Sequence, residues 1–162
     1  MLLKDEVKIL RRLPLFAGVE PTKLKLLAFT SDRLRYAPGG VLFRQGDMGD
    51  AAYVILSGIA EVLIESPAGP IKVAEVREDA IVGEIAILCD VARTATVRAM
   101  TDLDALRINK EHFLNLMKDY PEITIEVIRE LANRLSVTSM ELSEERAKAR
   151  RHQEEMLVGK DD

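Results

Sequence analysis

The hydrophobic period of this chain changes twice along its length, and that change restricts the possible folds more than any other feature. From Leu34 to Ile108 the apolar residues alternate or come in short runs, separated by turn chemistry in "APGG" at 37–40, "GDMGD" at 46–50, Gly58 and "SPAGP" at 66–70. Val41 with Phe43, Tyr53 with Ile55, Ala60 with Val62 and Ile64, Ile71 with Val73, and Ala95 with Val97 and Ala99 repeat at the two-residue spacing of strands. A series of short strands punctuated in this way predicts a small antiparallel barrel or double-sheet jelly roll over residues 34–108.

On either side the period is helical. Leu3, Val7 and Leu10 predict an amphipathic helix that stops at Pro14, and Pro21 opens a second one with Leu24, Leu27 and Ala28 as its apolar stripe. Residues 1–33 therefore read as N-terminal helices. After Ile108, Asn109 is placed to cap a helix through "KEHFLNLM", "DYP" breaks it, and Pro121 opens a segment without further Pro or Gly until Gly159. Residues 109–157 read as C-terminal helices. Ile128, Leu131, Leu135, Thr138 and Leu142 alternate steps of three and four, the seam spacing of a coiled coil, which predicts a homodimer through this helix. In the charged stretch that follows, Glu144 and Lys148 are spaced to pair on a solvated face. The expected fold class is α+β, mainly β, as a single domain over 1–162 with no separate output domain after the long helix.

Composition removes several functions. A net charge of −4 and the absence of Trp argue against direct nucleic-acid binding. The apolar stretch "AAYVILSGIAEVLIE" is interrupted by Ser57, Gly58 and Glu61, so no membrane span is expected. The N-terminus lacks the pattern of a secretory signal, which makes the cytoplasm the expected compartment. Cys89 is the single cysteine; it forms no internal disulfide and reads as a small core residue. His112 and His152 both fall on predicted helices, and no histidine occurs between Leu34 and Ile108. A metal-dependent barrel enzyme of the cupin type would need such ligands inside the barrel, so no metal site and no cofactor are expected. Nor is a nucleophile placed beside a base, so no catalytic residue is assigned and the protein is not expected to be an enzyme.

The chemistry concentrates in "VGEIAILCDVARTATVRA", residues 82–99, where Glu84 and Arg93 interrupt a run of core residues. If "GEIAIL" forms one helical turn after a strand, its first backbone N–H groups are unpaired within the turn and attract an anion. Gly83 allows a ligand close to the backbone, and Arg93 offers a planar fork of donors suited to phosphate oxygens. Glu84 would repel a phosphate but accept a hydrogen bond from a sugar hydroxyl, and the two contacts together describe a nucleotide. The same two charges also suit a structural salt bridge at a barrel rim, and residue types alone leave both readings open.

The order "GDMGDAAYVILSG", "VGEIAIL", "ARTATVRA" resembles the cyclic-nucleotide-binding domain family of bacterial catabolite activators, cyclic-nucleotide-dependent kinases and nucleotide-gated channels. The likeness runs from "LPLFAGVEPTKLKLLA" to the final helix, whose "LANRLSVTSMEL" is similar to the dimer helix of Crp/Fnr-type sensors, here without their DNA-binding domain. The resemblance implies a phosphate-binding cassette over residues 83–97. In it Glu84 would accept the ribose 2′-hydroxyl and Arg93 would pair with the exocyclic phosphate oxygens. Backbone N–H groups around Ile85 and Ala86 would complete the anion nest of a cassette that opens on Gly83, and Thr94, with Ala95 after it, would donate to a phosphate oxygen or contact the amino group of a guanine. Thr138 and Ser139 would contact the base, which points to cAMP over cGMP. Val82 replaces the family's usual Phe, and Ala92 its usual Pro before the arginine. The function so implied is a sensor that rearranges its long helix when the nucleotide binds. The alternative is a regulatory module of a larger channel, kinase or transcription complex with an unknown protein partner, responding to cGMP.

Overall fold

The computed structural model describes residues 3–160. The chain divides into two compact units, residues 1–123 and 124–162. The first begins with α1 (Leu3–Arg12), a 3-10 turn (Pro14–Phe16) and α2 (Pro21–Thr30). Helix α1 carries Asp5 and Glu6 in its first turn and Arg11 and Arg12 in its last, the arrangement that complements the helix dipole. Pro14 stops it, and Pro21 occupies the first turn of α2 as its fixed φ favours. Leu24, Leu27 and Ala28 form the buried stripe of α2 that the sequence predicts.

The strands follow as β1 (Asp32–Tyr36), β2 (Val41–Phe43), β3 (Ala51–Ser57), β4 (Ala60–Ser66), β5 (Gly69–Val76) and β6 (Ile81–Val82). After α3 (Glu84–Cys89) come β7 (Thr96–Ala99), β8 (Leu103–Asn109) and α4 (Lys110–Asp119). They build two four-stranded antiparallel sheets, ordered β1-β8-β3-β6 and β2-β7-β4-β5. Residues from both sheets, including Leu42, Tyr53, Ile55, Ala60, Val97, Leu103 and Ala105, share one buried apolar core. Alternation puts these residues on the inner faces of their strands, while Ala52 and Val54 of β3 and Leu106 of β8, on the opposite face, are buried as well. Helix α4 is capped as expected, with the Asn109 side chain accepting from the Glu111 N–H at 2.8 Å.

The expectation of a mainly β barrel or jelly roll is corrected here. Helices occupy more of the chain than strands do, and the two sheets remain separate, so the architecture is a mixed helix-and-sheet fold. Alternating residues indicate which face of a strand is buried but carry no information on whether the outer strands find partners, and closure depends on that second property. Here β1 and β6 edge one sheet and β2 and β5 the other. Strand β5 bears Pro70 and Lys72, residue types that discourage further edge pairing. Cys89 is also not a core residue but exposed. In α3 the residues Glu84, Ala86 and Ile87 turn inward, whereas Ile85, Leu88 and Cys89, spaced by three and four, share the outer face.

The second unit is formed by most of α5 (Pro121–Val158), a 38-residue helix. At 1.5 Å per residue it is about 57 Å long. Ile128, Leu135, Met140 and Leu142 are exposed along it. Lys148 pairs with Glu145 at 3.8 Å rather than with Glu144, and Arg134 pairs with Glu130 at 2.8 Å. No helix among the described residues is long and apolar enough to cross a membrane.

Gly58, flagged in the sequence as a turn residue, links β3 to β4 with φ +94°, and a Cβ there would lie 2.3 Å from the Asp102 carbonyl oxygen. Gly58→Ala is expected to destabilise the fold by about 2–4 kcal/mol, since backbone strain and overpacking add. Urea denaturation followed by circular dichroism measures this, and a change below about 0.5 kcal/mol would contradict it.

Candidate functional site

The stretch singled out in the sequence folds as a strand, a single helical segment and a return loop. Strand β6 ends at Val82, and Gly83 turns the chain with φ +82° as the N-cap of α3. A Cβ at Gly83 would lie 2.6 Å from Arg93 Nη1 and 3.2 Å from the Phe43 ring, so the arginine takes the space a side chain would occupy. Helix α3 ends at Asp90, whose φ of +52° bends the chain back and whose N–H donates to the Ala86 carbonyl. Backbone bonds then pin the arginine: Arg93 N–H donates to the Asp47 carbonyl and its own carbonyl accepts from Gly46 N–H, both at 2.8 Å.

Only 3% of Arg93 is exposed. Its Nη1 donates to the Gly83 carbonyl and its Nη2 to the Ala51 carbonyl, each at 2.7 Å. The guanidinium carbon stands 4.2 Å from the centroid of the Phe43 ring, within cation–π range. Phe43 in turn rests against Tyr53, with ring centroids 5.6 Å apart. A guanidinium has five N–H donors. Two are engaged by carbonyls, and the buried Nε makes no hydrogen bond among the described residues.

The charges around this group are arranged at a distance. The carboxylate that approaches Arg93 is Asp50, whose Oδ1 lies 4.0 Å from Nη2, beyond hydrogen-bond range. Glu84 is fully buried, yet its carboxylate is not among the partners of Arg93, so the two do not form the rim salt bridge that residue types alone allow. Burial pushes the Arg93 pKa down, Tyr53 and Asp50 oppose that, and the positive charge of Arg107 adds to it. An arginine nevertheless stays charged at any physiological pH. The site is a desolvated cation steadied by neutral oxygens and an aromatic face, an arrangement suited to an anion such as a phosphate.

The structure brings together Gly83, Glu84, Ile85, Ala86, Arg93, Thr94 and Ala95 on the 83–95 segment, with Glu84, Ala86, Arg93 and Ala95 buried and Ile85 and Thr94 exposed. Thr138 and Ser139 are exposed on α5, in the second unit. Sequence reasoning missed Phe43, Asp50, Ala51 and Arg107. Asp50 was visible as the second acid of "GDMGD", and Arg107 as a charge between Leu106 and Ile108. The contribution of Ala51 is a carbonyl, which no residue type announces. A cavity of about 810 Å³ lies nearby, lined by Met48, Asp50, Ala86, Asp90, Val91 and Leu114 among others, but neither Arg93 nor Glu84 lines it. The cavity shares Asp50 and Ala86 with the surroundings of these two buried charges.

Residues 33–120 match the family described as "Cyclic nucleotide-binding domain". The chain is 30% identical over 119 residues to "Lysophospholipase nte1" of Aspergillus fumigatus, covering 73% of this chain and 8% of that protein. It is 32% identical over 114 residues to the "cAMP-dependent protein kinase regulatory subunit" of the same organism, covering 70% of this chain and 27% of the relative. Among solved structures it is similar to the catabolite activator protein of Thermus thermophilus, with a TM-score of 0.68 and 29% identity over 80% of this chain and 62% of that one. The chain thus spans less than two thirds of each of these relatives. Similarity extends to kinase-regulatory and catabolite-activator sensors alike, without a special kinship to the latter.

If the Phe43 ring supports the Arg93 charge, a double-mutant cycle with Phe43→Leu and Arg93→Met should show a coupling of about 0.5–2 kcal/mol in urea denaturation. A coupling indistinguishable from zero would remove the ring from the account.

Proposed function

The chain belongs to the cyclic-nucleotide-binding domain family, a non-enzymatic regulatory module of signal transduction with, here, a long C-terminal helix, and on that premise we propose that it senses cAMP through Arg93. The observation that carries this reading is the buried Arg93 guanidinium, held by two carbonyls with its Nε hydrogen bond unmade. In the bound state Nε and an adjacent Nη proton donate to the exocyclic phosphate oxygens while the carbonyl contacts keep the group in place. Backbone N–H groups of Ile85 and Ala86 at the start of α3 add to the field, and Glu84 accepts from the ribose 2′-hydroxyl. Thr94 and Ala95 flank the phosphate, and Thr138 and Ser139 contact the base. Names of relatives support cAMP, since the similar kinase regulatory subunit is described as cAMP-dependent.

The exposed Ile128, Leu135 and Leu142 on α5 form the seam through which two copies pair. Ligand binding orders the cassette and shifts the population of arrangements of this helix, which is the output of the sensor. The small share of the lysophospholipase and of the kinase regulatory subunit that the chain spans favours a second reading, in which the same module regulates a larger channel, kinase or transcription complex, and in that reading cGMP is the alternative ligand.

Arg93→Ala should weaken cAMP binding by roughly 2–5 kcal/mol in isothermal titration, as expected for truncating one member of a desolvated charge pair. Unchanged affinity would contradict the assignment. Titrating cAMP and cGMP in parallel against Thr94→Ala and Thr138→Ala identifies the threonine that reads the base: selective loss of cGMP affinity in the first favours the second reading, and selective loss of cAMP affinity in the second favours the first.

A further inference from the structure

Arg107 lies in β8 between Leu106 and Ile108, in a strand whose other charged residue, Asp104, is paired with Arg33 and Arg35. It is directly opposite Tyr53 of β3 and Asp32 of β1, so it shares the face of the sheet on which Tyr53 joins the core. Its Nη2 donates to Asp50 Oδ2 at 2.9 Å, and its Nη1 lies 3.6 Å from Asp32 Oδ2. The other oxygen of Asp50 faces Arg93 at 4.0 Å. One carboxylate therefore stands between two guanidinium groups, hydrogen-bonded to Arg107 and short of contact with Arg93.

We propose that Arg107 is a positioning residue for the ligand site: it retains the Asp50 carboxylate, so that the Arg93 guanidinium meets an incoming phosphate rather than an internal acid. This rests on the reading of Arg93 as the phosphate-binding group. Asp50 is exposed enough to move, and without Arg107 the attraction of the buried Arg93 charge draws it across the remaining gap into an ion pair. That pair competes with the ligand for the same donors. The field of Arg107 acts in the same direction, since its positive charge reaches Arg93 and makes the site more attractive to an anion. Arg107 thus promotes anion binding without touching the anion.

Isothermal titration of cAMP into the full chain tests this with four variants. Arg107→Gln should raise Kd about 3- to 30-fold, more at low ionic strength than at high. Arg107→Lys, which keeps the charge, should lose less. Adding Asp50→Asn to Arg107→Gln should recover most of the lost affinity, a rescue that general damage to the fold would not produce. The fourth, Arg93→Ala, reports on the underlying reading. An unchanged Kd in Arg107→Gln, or a further loss when Asp50→Asn is added, overturns the proposal while the role of Arg93 stands. Failure of the unaltered chain to bind cAMP, or full affinity in Arg93→Ala, overturns both.

Discussion

The guanidinium of Arg93 donates to the carbonyls of Gly83 and Ala51 at 2.7 Å each, and the local backbone is arranged around keeping that charge in place. Gly83 has no side chain because the arginine fills that space, and its positive φ points its carbonyl toward the guanidinium. The turn at 46–50 exchanges backbone bonds with Arg93, which couples the start of β3 to the loop after α3. Phe43 supplies an aromatic face, which attracts a cation without neutralising it. A carboxylate in hydrogen-bond contact would be a stronger partner, but it would also satisfy the charge and leave nothing for a ligand to gain.

Much of the fold was legible because its information is local. Pro14, Pro21, Asn109 and Pro121 mark helix ends by excluding or supplying particular backbone bonds, and each acts as expected. The alternating pairs from Val41 to Ala99 fall on strands or at their edges for the same reason. What escaped was non-local. Closure of a sheet depends on whether β1, β6, β2 and β5 find partners, and period-two patterning is silent on that. Strand β6, two residues long, is too short to show any period. An apolar run does not show which of its residues face out of a helix, and Cys89 lies on the exposed face of α3.

The candidate site divides along the same line. Glu84 and Arg93 stood out because charges in core-like sequence need a reason to be there, and both are buried. Their relation to one another was not readable. Nine residues of chain permit contact between them, but the guanidinium turns to the carbonyls of a glycine and an alanine instead. Backbone acceptors leave no trace in residue type. Asp50 and Arg107 are far apart in sequence, and only the pairing of β3 with β8 brings their side chains to one end of the sheet.

A charge held by fixed neutral acceptors allows a ligand to bind without first breaking an internal ion pair, so little reorganisation opposes binding. The most direct test is a crystal structure of the chain grown with cAMP. The exocyclic phosphate should lie within hydrogen-bond distance of Arg93 Nε, with the bonds from Nη1 to Gly83 and from Nη2 to Ala51 preserved. A nucleotide bound elsewhere, for example in the cavity beside Met48 and Leu114, with Arg93 making no contact to it, would contradict the account.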